Sequence, residues 1–186
     1  RGKNIEHVKD YQNMHKETWD YPHRGRPTQA MKKDFPVLSR DYLLNEATFG
    51  MWANEQESPY IEKKRFDWYR GYHVGGRSIT WGRHCYRWSA MDFEANKKDG
   101  HGVDWPVRYK DMAPWYDHVE RFAGISGQNE GLHQLPDGQL LPPMEMNCLE
   151  KHVKQRVAEK FGGRMITIGR VANLTQAHNG RGGCQF

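Results

Sequence analysis

The run YHVGGRSITWGRHCYRWS at residues 72–89 gathers three glycines, three arginines, two histidines, four large aromatic residues and a cysteine into eighteen positions. The successive glycines Gly75 and Gly76 carry no Cβ, so the main chain there can approach a ligand closely or take a positive φ. Ser78 and Thr80 add hydroxyls that both donate and accept hydrogen bonds. Trp81 offers a flat face, and Arg77 and Arg83 offer positive charge. Bare backbone with a hydroxyl and an amide beside it allows the main chain to approach a ligand closely. An isolated glycine pair more often marks a tight turn between a strand and a loop, so the pair by itself does not assign the site.

Other chemistries fit these residues less well. Neither GxxxxGK[ST] nor GxGxxG occurs, so the sequence contains no complete nucleotide-binding loop. No HExxH occurs, and His73, His84, His101, His118, His133, His152 and His178 do not repeat at i, i+4 on any expected helix. Each is therefore read as a surface histidine or an internally bonded one. A nucleophile built from Cys85 beside His84 fails because adjacent side chains point in different directions in either regular structure. Cys85, Cys148 and Cys184 lie far apart with no CxxC, which leaves three ordinary thiols and no zinc spacing. Arg70-Gly71-Tyr72 begins like an RNA-recognition consensus, but His73 and the Gly75-Gly76 pair break it. The alternative function is a basic, aromatic-rich nucleic-acid-binding or interaction module without cofactor, since arginines between rings can stack on bases and neutralise phosphates.

The elements that position this loop read as mixed helix and strand. The first 36 residues are polar and hold Pro22, Pro27 and Pro36, which predicts irregular chain with one short helix. From Leu38 to Trp52, residues Tyr42, Leu43, Leu44, Ala47, Met51 and Trp52 recur at helical intervals. Residues 66–74 read as a strand entering the glycine pair. A helix is expected from a cap at Asp111 to Gly124, with Pro114 in its first turn and Met112, Trp115, Tyr116, Val119, Phe122 and Ala123 as its core face. Residues 124–146 are a Gly- and Pro-rich loop. Asn147 with Glu150 predicts a capping box for a second helix. Leu149, Val153, Val157 and Phe161 form its buried stripe, Gly162-Gly163 stop it, and residues 164–168 follow as a strand. Helix, glycine stop and strand make an α/β succession.

Composition narrows the class further. Lys and Arg outnumber Asp and Glu by 28 to 23, so a net charge of +5 permits an anionic partner without demanding one. Hydrophobic content of 37% is low for a globular domain, whereas 12% aromatic residues argue against a disordered chain. No apolar run reaches membrane-spanning length.

Three stretches in order carry a resemblance: Val74-Gly75-Gly76-Arg77-Ser78-Ile79-Thr80-Trp81-Gly82, then residues 104–116 (DWPVRYKDMAPWY), then residues 119–127 (VERFAGISG). Together they resemble the glucose/methanol/choline (GMC) flavin oxidoreductases, most of all the sugar dehydrogenase and pyranose oxidase subgroup. In that family a GG[ST]-type loop lies along the flavin, and a WP-containing stretch opens a helix that ends in GxSG. The resemblance implies an FAD-dependent oxidoreductase acting on CH–OH groups of sugars or other alcohols. It further implies part of an α/β, Rossmann-like FAD-binding domain, without the GxGxxG unit and the C-terminal catalytic part. On this reading residues 1–72 are a polar lead-in and helix, 73–90 the flavin-contacting loop, 103–127 a helix, and 147–175 a helix and strand. Gly75, Gly76, Arg77, Ser78, Thr80, Trp81 and Gly82 are the cofactor-binding residues it implies.

The resemblance also implies a position for the ends. Arg1-Gly2 is similar to the small pair that follows the family's ribose-binding acid, so the chain reads as an internal fragment whose catalytic residues lie outside it, inactive by itself. Thr80 stands where pyranose oxidase has the histidine that links to flavin, so the FAD is expected to be noncovalent. Arg77 replaces a common Ser and Trp81 a common Asn. The expected partners are a sugar or other alcohol and an electron-transfer subunit or cytochrome, with no nucleic acid.

Overall fold

The computed structural model describes Gly2, Asn4 and residues 16–184, in two compact units, Arg1–Trp81 and Gly82–Phe186. Arg1 of the Arg1-Gly2 pair lies outside the described residues. Among the described residues of the first unit the one α-helix, α1 (Gln29–Asp34), is capped by Thr28, whose hydroxyl accepts from Met31 N at 3.1 Å. Around it run short 3-10 turns at Thr18–Asp20, Leu38–Arg40, Phe49–Met51 and Gly76–Ile79. Phe35, Leu38 and Leu44 form the core, with Met31, Leu43, Trp52 and Tyr69 packed against them.

The helix expected between Leu38 and Trp52 is replaced by two 3-10 turns. The Asn45 side chain accepts from Ala47 N at 2.9 Å and Thr48 N at 3.0 Å, a local turn that competes with helix propagation. The first of the two turns is held from a distance. Both oxygens of the buried Glu55 accept from the Val37 and Leu38 amides, at 2.7 and 2.9 Å. Nor do residues 66–74 form the expected strand. Their pairing includes an isolated antiparallel bridge, Trp52 with Gly71, flanked by Ala53 N donating to Arg70 O at 2.7 Å.

The second unit contains α2 (Ala90–Phe93), α3 (Ala95–Asp99), α4 (Tyr109–Ala123) and α5 (Cys148–Lys160). The Asn147–Glu150 capping box on α5 is present as expected, with reciprocal bonds of 2.9 and 2.7 Å. For α4 the cap moves three residues upstream. Arg108 is the N-cap residue, and Asp111 serves from the third helical position by accepting from Arg108 N at 2.9 Å. Pro114 consequently sits inside the helix rather than in its first turn.

The burial of both helices differs from the periodicity. Trp115, Val119 and Phe122 of the expected core face are exposed, and so are Leu149, Val153 and Phe161 of the expected α5 stripe. What α4 buries instead is Glu120, because that carboxylate takes Arg87 Nε at 2.8 Å and Nη2 at 2.6 Å. Asp117 Oδ1 and Tyr109 Oη complete the partners of Arg87, whose side chain is 4% exposed. Glu120 also accepts from Gln139 N at 2.7 Å. These bonds hold the guanidinium well above its ordinary pKa, Glu120 foremost. A desolvated ion pair is costly to break, so its geometry fixes the rotation of α4 against the weaker pull of an apolar stripe.

After α4 the chain turns at Gly124, with φ +79. Ser126 then bridges on two sides, antiparallel to Val171 and parallel to Leu141. Ser126 N donates to Val171 O at 2.9 Å and Leu141 N donates to Ile125 O at 2.7 Å. Here lies the reason for two glycines around Ile125-Ser126. A Cβ at Gly124 would stand 2.3 Å from Leu174 Cδ2, and one at Gly127 would stand 2.8 Å from Arg170 Cγ. Arg170, fully buried, donates to Pro136 O, Gln128 O and Leu135 O of the following loop. The strand expected at 164–168 is absent. Among the described residues, β pairing consists of isolated bridges alone. The C-terminal carbonyls of α4 are closed by a remote segment, with His178 Nε2 and Asn179 Nδ2 at Arg121 O and Arg181 Nη2 donating to Phe122 O. No helix among the described residues is long and apolar enough to cross a membrane.

Three outcomes follow. Gly124→Ala adds an overlapping Cβ at positive φ and is expected to destabilise the second unit by about 2 to 4 kcal/mol in urea denaturation. Glu120→Gln leaves Arg87 without its main counter-charge and is expected to cost roughly 3 kcal/mol, whereas Glu159→Gln, an exposed pair with Arg156, changes stability by less than about 0.5 kcal/mol. In the first unit, Arg40 bonds Glu62 at 3.1 Å and Asp67 at 2.7 Å and holds both carboxyls below their ordinary range. A depressed folded pKa gives stabilisation that is present above the unfolded value and lost as pH falls through the folded one. Carboxyl NMR titration is expected to find both midpoints below the ordinary range, and Arg40→Met to raise both.

Candidate functional site

The glycine pair adopts the conformation for which it was singled out. Gly75 has φ +99 and Gly76 φ +57, and the chain then winds into the 3-10 turn Gly76–Ile79. A Cβ on Gly75 would fall 2.5 Å from Ile79 Cδ1, so this glycine is needed for the turn to close. At Gly76 a Cβ would meet nothing within 4 Å, so that position presents open backbone. Thr80 N ends the turn by donating to Arg77 O at 3.0 Å.

Two side chains fix this loop to the rest of its unit. His73 is buried, with Nε2 2.7 Å from Gly76 O and Nδ1 3.2 Å from Met51 O, so the ring spans the glycine loop and the 3-10 turn before Trp52. Here the reading of the histidines as internally bonded holds, although the clamp itself was not foreseen. The sequence signal was its place two residues before Gly75; the second partner lies 22 positions upstream. Gly2 backs the same segment, since a Cβ there would come within 2.4 Å of Tyr72 C. Arg77 Nη2 donates to Tyr69 O at 3.0 Å, and its guanidinium lies 5.4 Å from the Trp52 ring centroid.

Two cavities border the loop within this unit. The smaller, about 260 Å³, is lined by Trp52, Ile79, Thr80 and Trp81 together with Tyr42, Leu43, Asn45, Thr48 and Met51. Thr80 Oγ1 and Trp52 Nε1 are buried with no hydrogen-bond partner among the described residues. An unpaired buried hydroxyl or indole N–H costs free energy until something satisfies it. The lining is otherwise mostly apolar, and Trp81 leaves 44% of its surface exposed. The larger cavity, about 590 Å³, is lined by Gly76 and Arg77 with Ala53, Ser58 and the run Asp67 to Tyr72.

The seven residues expected to bind cofactor therefore divide. Gly75, Gly76, Arg77, Ser78, Thr80 and Trp81 follow one another in the first unit. Gly82 opens the second, so the expected loop 73–90 crosses the boundary between them. Ser78 is exposed, and of the two hydroxyls Thr80 is the one that lines a cavity. Arg83 has φ +62, and its carbonyl accepts from Ala172 N at 2.9 Å in the second unit. Among the described residues no group of three or more His, Cys, Asp or Glu side chains could hold a metal ion.

No family model matches the chain. Part of it is 36% identical, over 56 residues, to 2-methyl-1,2-propanediol dehydrogenase of Mycolicibacterium austroafricanum, a match covering 29% of this chain and 10% of that protein. Part is 34% identical, over 61 residues, to paromamine 6'-oxidase of Streptomyces fradiae, covering 31% of this chain and 11% of that protein. The matched part thus spans about a tenth of the length of these curated relatives. A dehydrogenase and an oxidase are both oxidoreductases, and over about three tenths of its length the chain is similar to proteins of that kind.

Proposed function

We propose that the chain is part of an FAD-dependent oxidoreductase of the GMC type, acting on a CH–OH group of a sugar or other alcohol. The observation that carries the reading is an open glycine turn that runs, within its unit, into a cavity lined by two residues with unpaired buried polar atoms. Gly76 presents backbone with no Cβ contact, Ile79, Thr80 and Trp81 at the end of the turn line the smaller cavity with Trp52, and Thr80 Oγ1 and Trp52 Nε1 are buried without partners among the described residues. Partial similarity to a dehydrogenase and an oxidase supports the same reaction class. The fold that accompanies this reading is part of an α/β, Rossmann-like FAD-binding domain.

These residues fit the group they would hold. Gly75 and Gly76 allow close approach of main chain to a flat ring. Thr80 would supply a hydroxyl to a polar ring edge and Trp81 a face, with Arg77 and Ser78 completing the set in the first unit. The chemistry that FAD supplies when bound is acceptance, at flavin N5, of the hydride from a substrate CH–OH group. The chain's own part is to bind and orient. His73 and Arg77 keep the turn in one conformation, so little ordering entropy remains to be lost on binding. Thr80 cannot form the histidyl link of pyranose oxidase, so attachment is noncovalent. The reading places neither the base that takes the hydroxyl proton nor the electron acceptor (oxygen, a quinone or a cytochrome subunit) among residues 1–186.

An absorbance spectrum of the protein from the complete reading frame, before and after acid precipitation, tests this. Flavin bands released into the supernatant are the expected result. Bands that stay with the pellet overturn the noncovalent attachment, and a colourless protein that takes up no added FAD overturns the cofactor. Gly76→Ala sharpens the test, because its Cβ meets no protein atom and costs only the positive φ, about 1 kcal/mol. It is expected to fold and yet lose at least about tenfold in FAD affinity; unchanged affinity would remove the glycine turn from the site.

A further inference from the structure

We propose that the larger cavity of the first unit is a second binding site, one that takes a flat ring bearing a carboxylate or phosphate group. Its lining brings together two guanidinium groups, Arg70 and Arg77, with the rings of Trp68, Tyr69 and Tyr72. Asp67 is the one carboxylate in the lining, and it is committed elsewhere: Oδ1 accepts from Arg40 at 2.7 Å and Oδ2 from Arg65 at 3.2 Å. Neither Arg70 nor Arg77 has a carboxylate within 4.0 Å among the described residues. Their bonds go to neutral carbonyls, Ser58 O and Tyr69 O. Two like charges facing one cavity without a counter-charge raise the free energy of the empty site, and an oxyanion between them lowers it.

The geometry favours a planar, ring-bearing anion over a bare one. Arg70 packs against two rings that meet edge to face, 5.2 Å from the Tyr60 centroid and 5.1 Å from the Trp68 centroid, and Arg77 lies over Trp52. Packed on rings in this way, both guanidinium groups are restrained for contact with the oxygens of a carboxylate or phosphate. Arg70 Nε is buried without a partner, which leaves further donor capacity at that guanidinium. Trp68 and Tyr72 keep about half of their surfaces exposed, so ring faces remain for stacking beside the charges. A volume of about 590 Å³ is within the usual range for a small-molecule site.

The proposal shares Gly76 and Arg77 with the flavin reading, so its test contains no flavin and turns on Arg70 and Trp68, which that reading does not use. The 186-residue chain is titrated with phenyl phosphate, benzoate and inorganic phosphate at low salt, with tryptophan fluorescence as the readout. Saturable binding of a ring-bearing anion, at least about tenfold tighter than inorganic phosphate, is expected. Preference for phenyl phosphate or for benzoate identifies which oxyanion the site takes. Arg77→Met and Arg70→Met are each expected to weaken binding about tenfold while circular dichroism stays unchanged. Trp68→Leu, which keeps both charges, is expected to reduce the advantage of the ring-bearing anions over inorganic phosphate. Arg164→Met, in the other unit, is the control and leaves binding unaltered. Equal binding of inorganic phosphate overturns the ring component. No saturable binding, or equal losses in the control, overturns the site.

Discussion

Backbone amides and carbonyls that leave water must find partners, and in this chain hardly any of them find a neighbouring strand. Helices and turns satisfy most of the backbone, isolated bridges satisfy a few residues more, and long polar side chains close several of the remaining buried groups. Glu55 serves two amides of the Leu38 turn, His73 faces Met51 O and Gly76 O, and Arg170 serves three carbonyls of the loop around Pro136. This explains a core that mixes Phe35, Leu38, Leu44 and Ile125 with Glu55, His73, Arg87, Glu120 and Arg170. In such an interior the loss of one polar side chain strands several buried groups at once, a larger penalty than the net worth of any single bond.

The same constraint shapes the candidate site. A glycine turn is floppy by nature, since glycine loses more conformational freedom on ordering than any other residue. His73 and Arg77 remove that freedom by tying the turn to Met51 O and Tyr69 O. Arg77 thereby has two duties, bracing the loop and, with its remaining donors, facing the larger cavity, while Trp52 beneath it lines the smaller. A ligand at either place meets a surface that is already set.

What was legible in the sequence was local. The Asn147–Glu150 box, the glycine stop after α5 and the left-handed demand at Gly75-Gly76 depend on residues a few positions apart, and the structure has all three. Where the deciding partner is distant, pattern misled. The apolar periodicity of α4 is present, yet Arg87, 33 positions before Glu120, turns the charged side inward. Residues 38–52 kept their core positions Leu38, Leu44 and Met51 but not their helix, because the Asn45 side chain offers its own turn. The alternation at 164–168 has strand chemistry, but a strand needs a partner, and pairing in that region begins only at Val171. Thr80 and Trp81 could be named from the loop; the empty bonding capacity of Trp52 could not, because nothing in its neighbours predicts which side of the fold it enters.

The closure of α4 by His178, Asn179 and Arg181 sets an order of events for the chain. The last carbonyls of the helix wait for groups 57 to 59 residues further along. Until that segment has been synthesised, the final turn can only fray, and Gly124 lacks the close neighbours Leu174 and His178. Loops of this span pay their closure entropy before any contact rewards it, which slows folding relative to a bundle of neighbouring helices. The C-terminal turn of α4 therefore settles only after residues 178–181 have been made, although most of the helix can form before them as local structure.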